Sequence, residues 1–136
     1  MAAVIRTFDI KKVYMPRVSH TSQTFENVLL AIKAKGLKIT SARAGTAVFN
    51  QDGVKVNFVA PCGSSYDNLN NYSAVVKIQH GNTSFLFTGD AESLSEQQMF
   101  SSGTNLKSDV LKVGHHGSSS STSTSFLKAV SPKYAV

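Results

Sequence analysis

With 136 residues, 41% of them apolar and 16% charged, the chain has the size of one domain or a piece of one and enough apolar residues for a core. Its longest apolar run, Val28-Leu29-Leu30-Ala31-Ile32, falls far short of the roughly 20 residues of a membrane span, and Met1 leads into no extended apolar leader. A net charge of +6 favours anionic partners, a nucleic acid or a phosphorylated small molecule. The 14 Lys and Arg are nevertheless scattered, densest at Lys11-Lys12 and at Lys33, Lys35 and Lys38, so most of that charge reads as solvated surface. The single cysteine, Cys62, excludes an internal disulfide and a multi-thiolate metal site, and fits a reducing compartment.

In chain order, Ala2 to Phe8 reads as the tail of a helix and Lys11 to Met15 as a short strand stopped by Pro16. Phe25, Val28, Leu29 and Ile32 fall at i, i+3, i+4 and i+7, one apolar helix face, which Gly36 ends. Leu37 to Ala44 reads as a strand punctuated by Gly45, and Val54 to Val59 alternates apolar with polar in the manner of a half-buried strand. Pro61 to Asn71 is a polar loop. Ser73 to Gln79 and Ser84 to Phe87 form a hairpin around His80-Gly81-Asn82. Ser93-x-x-Glu96 has the spacing of a capping box, which predicts a short helix starting there. Val110 to Val113 is a compact apolar strand. The Ser/Thr tract from Ser118 to Ser125 reads as a polar loop with an N-cap, ahead of a last helix over Phe126 to Val130 and a strand beginning at Tyr134. The layout is mixed α/β, without an internal repeat.

Two places carry chemistry because each follows a buried-looking strand. In Phe85-Leu86-Phe87-Thr88-Gly89-Asp90 a carboxylate sits just past a strand end, where α/β proteins place ligands. An isolated Thr-Gly-Asp would read as a turn cap. In Val110-Leu111-Lys112-Val113-Gly114-His115-His116-Gly117-Ser118 an apolar strand runs into two imidazoles flanked by glycines. Imidazole and carboxylate suit zinc or manganese. On an extended backbone adjacent histidines point apart. His115, next to the strand, is therefore the favoured direct ligand, with His116 orienting a phosphate or ester, acting behind the ligands or taking a second ion. Asp90 and His116 are the candidate catalytic residues, and Asp90, His115 and His116 the candidate metal ligands. Gly117-Ser118 is no nucleophile elbow, and neither a phosphate loop nor a dinucleotide fingerprint occurs. His20 and His80 read as solvent-exposed.

Taken together, Asn70-Asn71-Tyr72-Ser73-Ala74-Val75-Val76, Phe85 to Glu92, and Asp109 to Ser118 with Phe126-Leu127 and Pro132 resemble the metallo-β-lactamase-like domain of ComEC-type competence proteins. The resemblance is strong over residues 50 to 136 and loose over residues 2 to 45. It implies an αββα sandwich with the metals at one edge between the two sheets. It also implies hydrolysis of a phosphodiester or ester, DNA-related, by a hydroxide made on two divalent ions. Asp90 matches the bridging carboxylate, His115-His116 the last histidine motif, and Ser73 lies near another site position of the family.

The family's His-x-His-x-Asp-His motif, or its His-x-Asp-x-Asp-His variant, is absent. Residues 1–136 are therefore expected to be a partial domain, roughly the C-terminal half, inactive or weakly active alone. The resemblance also admits the extracytoplasmic side of a bacterial membrane besides the cytoplasm. The competing reading is a non-catalytic binding or assembly module, either nucleic-acid binding or self-associating through the sheet face that half a sandwich leaves uncovered.

Overall fold

The computed structural model describes residues 1–136, which divide into two compact units, Met1–Ser41 and Ala42–Val136. The first holds α1 (Ala2–Thr7), β1 (Val13–Met15), α2 (Gln23–Ala34) and β2 (Ile39–Ser41), with β1 and β2 parallel, so α2 is the crossover of a βαβ unit. Ser22 caps α2 by accepting from Phe25 N at 3.3 Å, and Gly36, at φ +64°, takes the left-handed step that ends it. Of the apolar stripe read from sequence, Ile32 is buried with Ala31 against Ile5, and Val28 packs on them half-buried.

The second unit holds a six-stranded sheet ordered β3 (Ala47–Gln51), β4 (Val54–Ala60), β5 (Val75–His80), β6 (Thr83–Phe87), β7 (Val110–Lys112) and β8 (Tyr134–Ala135). β3 to β6 run antiparallel as a meander, then β6, β7 and β8 run parallel. The sequence reading passes from Gly45 to Val54 and misses β3, a largely exposed edge strand whose apolar residues are too few to show a period. Its signal is Asp52-Gly53, with φ +51° and +74°, the left-handed pair of a tight hairpin. One face of the sheet, carrying Val75, Leu86 and Leu111, is covered by α3 (Ser93–Ser101) and α4 (Thr124–Val130). There Met99, Phe126 and Val130 are fully or almost fully buried, each worth roughly 1.5–3 kcal/mol relative to exposure. By register the opposite face carries Val56, Val76, Ile78, Phe85 and Val110, all half-buried, and Phe87, 42% exposed.

The capping box is corrected. Glu92 takes the N-cap position of α3 without a side-chain cap, and Ser95 N is met instead by the buried Asn71 side chain at 3.3 Å. Glu96, 2% exposed, turns away from its own helix and accepts from the backbone N–H groups of Thr122 and Ser123, just ahead of α4. The helix begins where expected, but its glutamate serves another one.

Asp109 ties three strands at their beginnings. Its carboxylate accepts from Ser84 N at 2.8 Å and pairs with Lys133 Nζ at 2.9 Å, while its carbonyl accepts from Lys133 N and Tyr134 N. Lys133 first, then the Ser84 bonds, hold its carboxyl down at about 2 against an ordinary 3.8. A depressed folded value means that the stabilisation is present above the unfolded pKa and is lost as pH falls from 3.8 towards about 2. In thermal melts across that interval the wild type should lose more midpoint temperature than Asp109→Asn. Equal acid slopes would contradict the clamp.

Candidate functional site

Because β6 and β7 are adjacent and parallel, with Phe87 beside Lys112, the loops after them leave the sheet at the same edge. The first loop carries Gly89-Asp90. Thr88, buried at the end of β6, donates from Oγ1 to Lys112 O at 2.7 Å and fixes the spacing of the two loops. Gly89 then turns left-handed at φ +58°, and a Cβ there would lie 3.3 Å from Ser73. Ser73 Oγ accepts from Asp90 N at 3.1 Å, so the serine braces the backbone under the carboxylate.

The second loop carries the histidines, in a conformation that spacing does not disclose. His115 (φ 43°) and His116 (φ 53°) are both left-handed, followed by Gly117 at φ +79°, instead of extended. Residues other than glycine are uncommon in this region, histidine less so than most, and they persist when their surroundings fix them. Here His115 N donates to Gly89 O at 3.0 Å, Gly114 N donates to Thr122 Oγ1 at 3.1 Å, and Gly114 O accepts from Ser121 Oγ at 2.7 Å. Gly114 itself is required: a Cβ there would lie 2.7 Å from Ala91 O.

The turn separates the two rings, whose centroids are 6.3 Å apart, and gives each its own carboxylate. His116 Nε2 lies 3.3 Å from Asp90 Oδ1, with both side chains open to solvent. His115 Nδ1 lies 3.0 Å from Glu92 Oε1 and 3.4 Å from Ser120 Oγ. A neutral ring with Nδ1 against a carboxylate keeps its proton there and leaves Nε2 as the bare nitrogen. Glu92 is held in turn by Asn70 at 3.0 Å, Asn68 at 2.7 Å and Ser120 at 3.1 Å. Asn70 above all, with Ser120 and His115, keeps its carboxyl below the ordinary glutamate range despite partial burial.

Asp90 and the His pair thus meet at one edge, and the ring beside Asp90 is that of His116, whereas His115 Nδ1 is engaged by Glu92. His20 and His80 are exposed. Glu92 and Asn70 were given no role from sequence. The donors are of the kind zinc or manganese accepts. No three His, Cys, Asp or Glu side chains gather closely enough to hold an ion, so these residues alone do not fit a complete metal site.

The family model described as "Metallo-beta-lactamase superfamily" matches residues 2–136. Among curated proteins the chain is 31% identical over 133 residues to "ComE operon protein 3" of Bacillus subtilis, covering 98% of this chain and 17% of that protein. It is 42% identical over 86 residues to "Competence protein ComA" of Neisseria gonorrhoeae, covering 62% of this chain and 12% of that protein. To "Recombination protein 2" of Haemophilus influenzae it is 46% identical over 67 residues, 49% of this chain and 8% of that protein. The chain spans less than a fifth of the length of these relatives.

Proposed function

The chain belongs to the metallo-beta-lactamase superfamily, and on that premise we propose that it is a DNA-related hydrolase domain contributing Asp90, His115 and His116 to a divalent-metal centre. The superfamily generally binds divalent metals, and similarity to a competence protein and a recombination protein favours a phosphodiester substrate. The observation that carries the reading is the meeting of Asp90 and two differently held imidazoles at the ends of adjacent parallel strands.

In this reading Asp90, with His116 beside it, would hold divalent metal, zinc or manganese, and His116 would hold an ion or orient a phosphate. His115 offers Nε2, its ring fixed by Glu92 and Ser120. Bound metal would supply Lewis acidity and an activated water. Three donors spread over two ring–carboxylate pairs fall short of what two ions need, so in this reading further ligands complete the centre.

Chromogenic bis-p-nitrophenyl phosphate with added manganese or zinc tests this. The 136-residue chain alone should turn it over near the metal-only background. Rapid turnover that Asp90→Ala leaves intact would overturn the proposal, and rapid turnover that Asp90→Ala abolishes would overturn the need for further ligands.

An assembly module is the second reading. It finds support in Phe87, 42% exposed and stacked on Phe85 at 6.4 Å on the apolar sheet face. It leaves the two His–carboxylate pairs without a purpose.

A further inference from the structure

The basic residues are scattered in sequence, yet Lys77, Lys107 and Lys133 line one cleft of about 270 Å³ in the Ala42–Val136 unit. It lies where β6 and β7 begin, beside Ser84 and Asp109, on the sheet face that α3 and α4 cover further along. Asp90 and the His pair follow the other ends of the same strands, about 15 Å of strand away.

The cleft carries surplus positive charge. Asp109 is the only carboxylate lining it, and its oxygens are already taken by Lys133 and by Ser84. Lys77 and Lys107 have no acidic partner. Lys77 is half-buried and donates to Asn105 O at 2.7 Å, which leaves two of its three N–H groups for a ligand. Desolvation lowers the pKa of that amine, the direction a nearby anion would reverse. The rest of the lining is Ser, Asn and Gln, including Asn82 and Asn105, with no aromatic and no aliphatic side chain. Such a surface cannot stack a base or seat an acyl chain, but it can donate to phosphate oxygens.

We propose that this cleft grips the phosphodiester backbone of nucleic acid, at a site separate from the Asp90–His116 edge. A free phosphate would need several enclosed donors to be held alone. Here Lys107 is exposed and Lys133 is committed to Asp109. Contacts this shallow become useful when repeated phosphates sum them along a polymer. The inference goes beyond the hydrolase reading and does not require a metal.

The test is fluorescence anisotropy of the 136-residue chain with a labelled single-stranded 20-mer in EDTA, titrated at several salt concentrations. Lys77→Gln/Lys107→Gln should weaken binding at least about threefold at low salt and flatten the slope of log K against log salt by about 1.4, the share of two phosphate contacts on a single strand. Lys107→Gln alone, on an exposed side chain, should give about half that slope change with an unaltered melting temperature, which guards against a folding defect at Lys77. Arg43→Gln/Lys128→Gln removes the same charge from exposed positions of the unit outside the cleft and should leave the slope nearly unchanged. Binding is read in EDTA, whereas the hydrolase reading is tested by metal-dependent turnover, so loss of the hydrolase reading would leave this one standing. Equal effects of the two double variants, or no binding by the wild type at low salt, would overturn the proposal. Saturable binding of inorganic phosphate to the cleft without DNA binding would also overturn it, assigning a free phosphate instead.

Discussion

Glu96→Ala should lower the stability of the Ala42–Val136 unit by about 3 kcal/mol, a large share of the roughly 5–15 kcal/mol that holds a domain folded. Glu96 is 2% exposed, and its two oxygens take the N–H groups of Thr122 and Ser123. Truncation leaves both donors without an acceptor, at about 1–3 kcal/mol each when buried, and opens a cavity under α4. Glu96→Gln should fall between, since one oxygen remains while its NH₂ faces an N–H donor. Thr122 is itself left-handed at φ +52° and accepts from Gly114 N, so the damage should travel from α3 through Thr122 to the histidine turn. Chemical denaturation would read the loss as a shift in midpoint at constant slope. An alanine variant within about 0.5 kcal/mol of wild type would show that Glu96 does not hold this junction.

Gly114→Ala should be nearly as damaging, for a different reason. The added methyl would lie 2.7 Å from Ala91 O and 2.9 Å from Ser121 Cβ. Ala91 O is backbone, in the turn closed by Ala91 N donating to Thr88 O, so it cannot swing aside as a flexible side chain would. Forcing the methyl in should cost about 1–3 kcal/mol and push the Gly114–Gly117 turn off the Gly89–Ala91 turn. Since His115 N donates to Gly89 O across that contact, the geometry between His116 and Asp90 should be lost even where the unit stays folded. Gly117→Ala is the control: it adds a methyl into open space at φ +79° and should cost about 1 kcal/mol from backbone strain alone. Similar behaviour of the two variants would contradict a close-packed role for Gly114.

The parts of the site legible in the sequence were those that strand ends dictate. An apolar run followed by glycine and a functional side chain marks the place where a β-strand stops and a loop enters solvent, and both Asp90 and the His pair follow this rule. What stayed hidden depends on partners far along the chain. The left-handed backbone of His115 and His116 is set by Gly89, Thr122 and Ser121, none of which is adjacent in sequence to the pair. Glu96 sits at the right offset from Ser93 for a local cap, and only packing shows that its carboxylate crosses to Thr122 and Ser123. Asn70 and Glu92 lie 22 residues apart and meet only when the short 3-10 turn Leu69–Tyr72 folds over the start of α3. β3 escaped because a strand exposed at four of its five positions has no buried face to impose an alternation, and Asp52-Gly53 was the better signal.

The central claim is that Asp90 and the His pair border a single divalent-metal centre. It is tested most directly by adding manganese to the isotope-labelled chain and following paramagnetic broadening of the histidine ring and backbone amide signals. At low manganese the His116 and His115 rings and the Asp90 amide should broaden first, with His20 and His80 unchanged, and Asp90→Ala should abolish the effect. Broadening centred on His20, on His80 or on Asp109, or a pattern that Asp90→Ala leaves intact, would contradict the account.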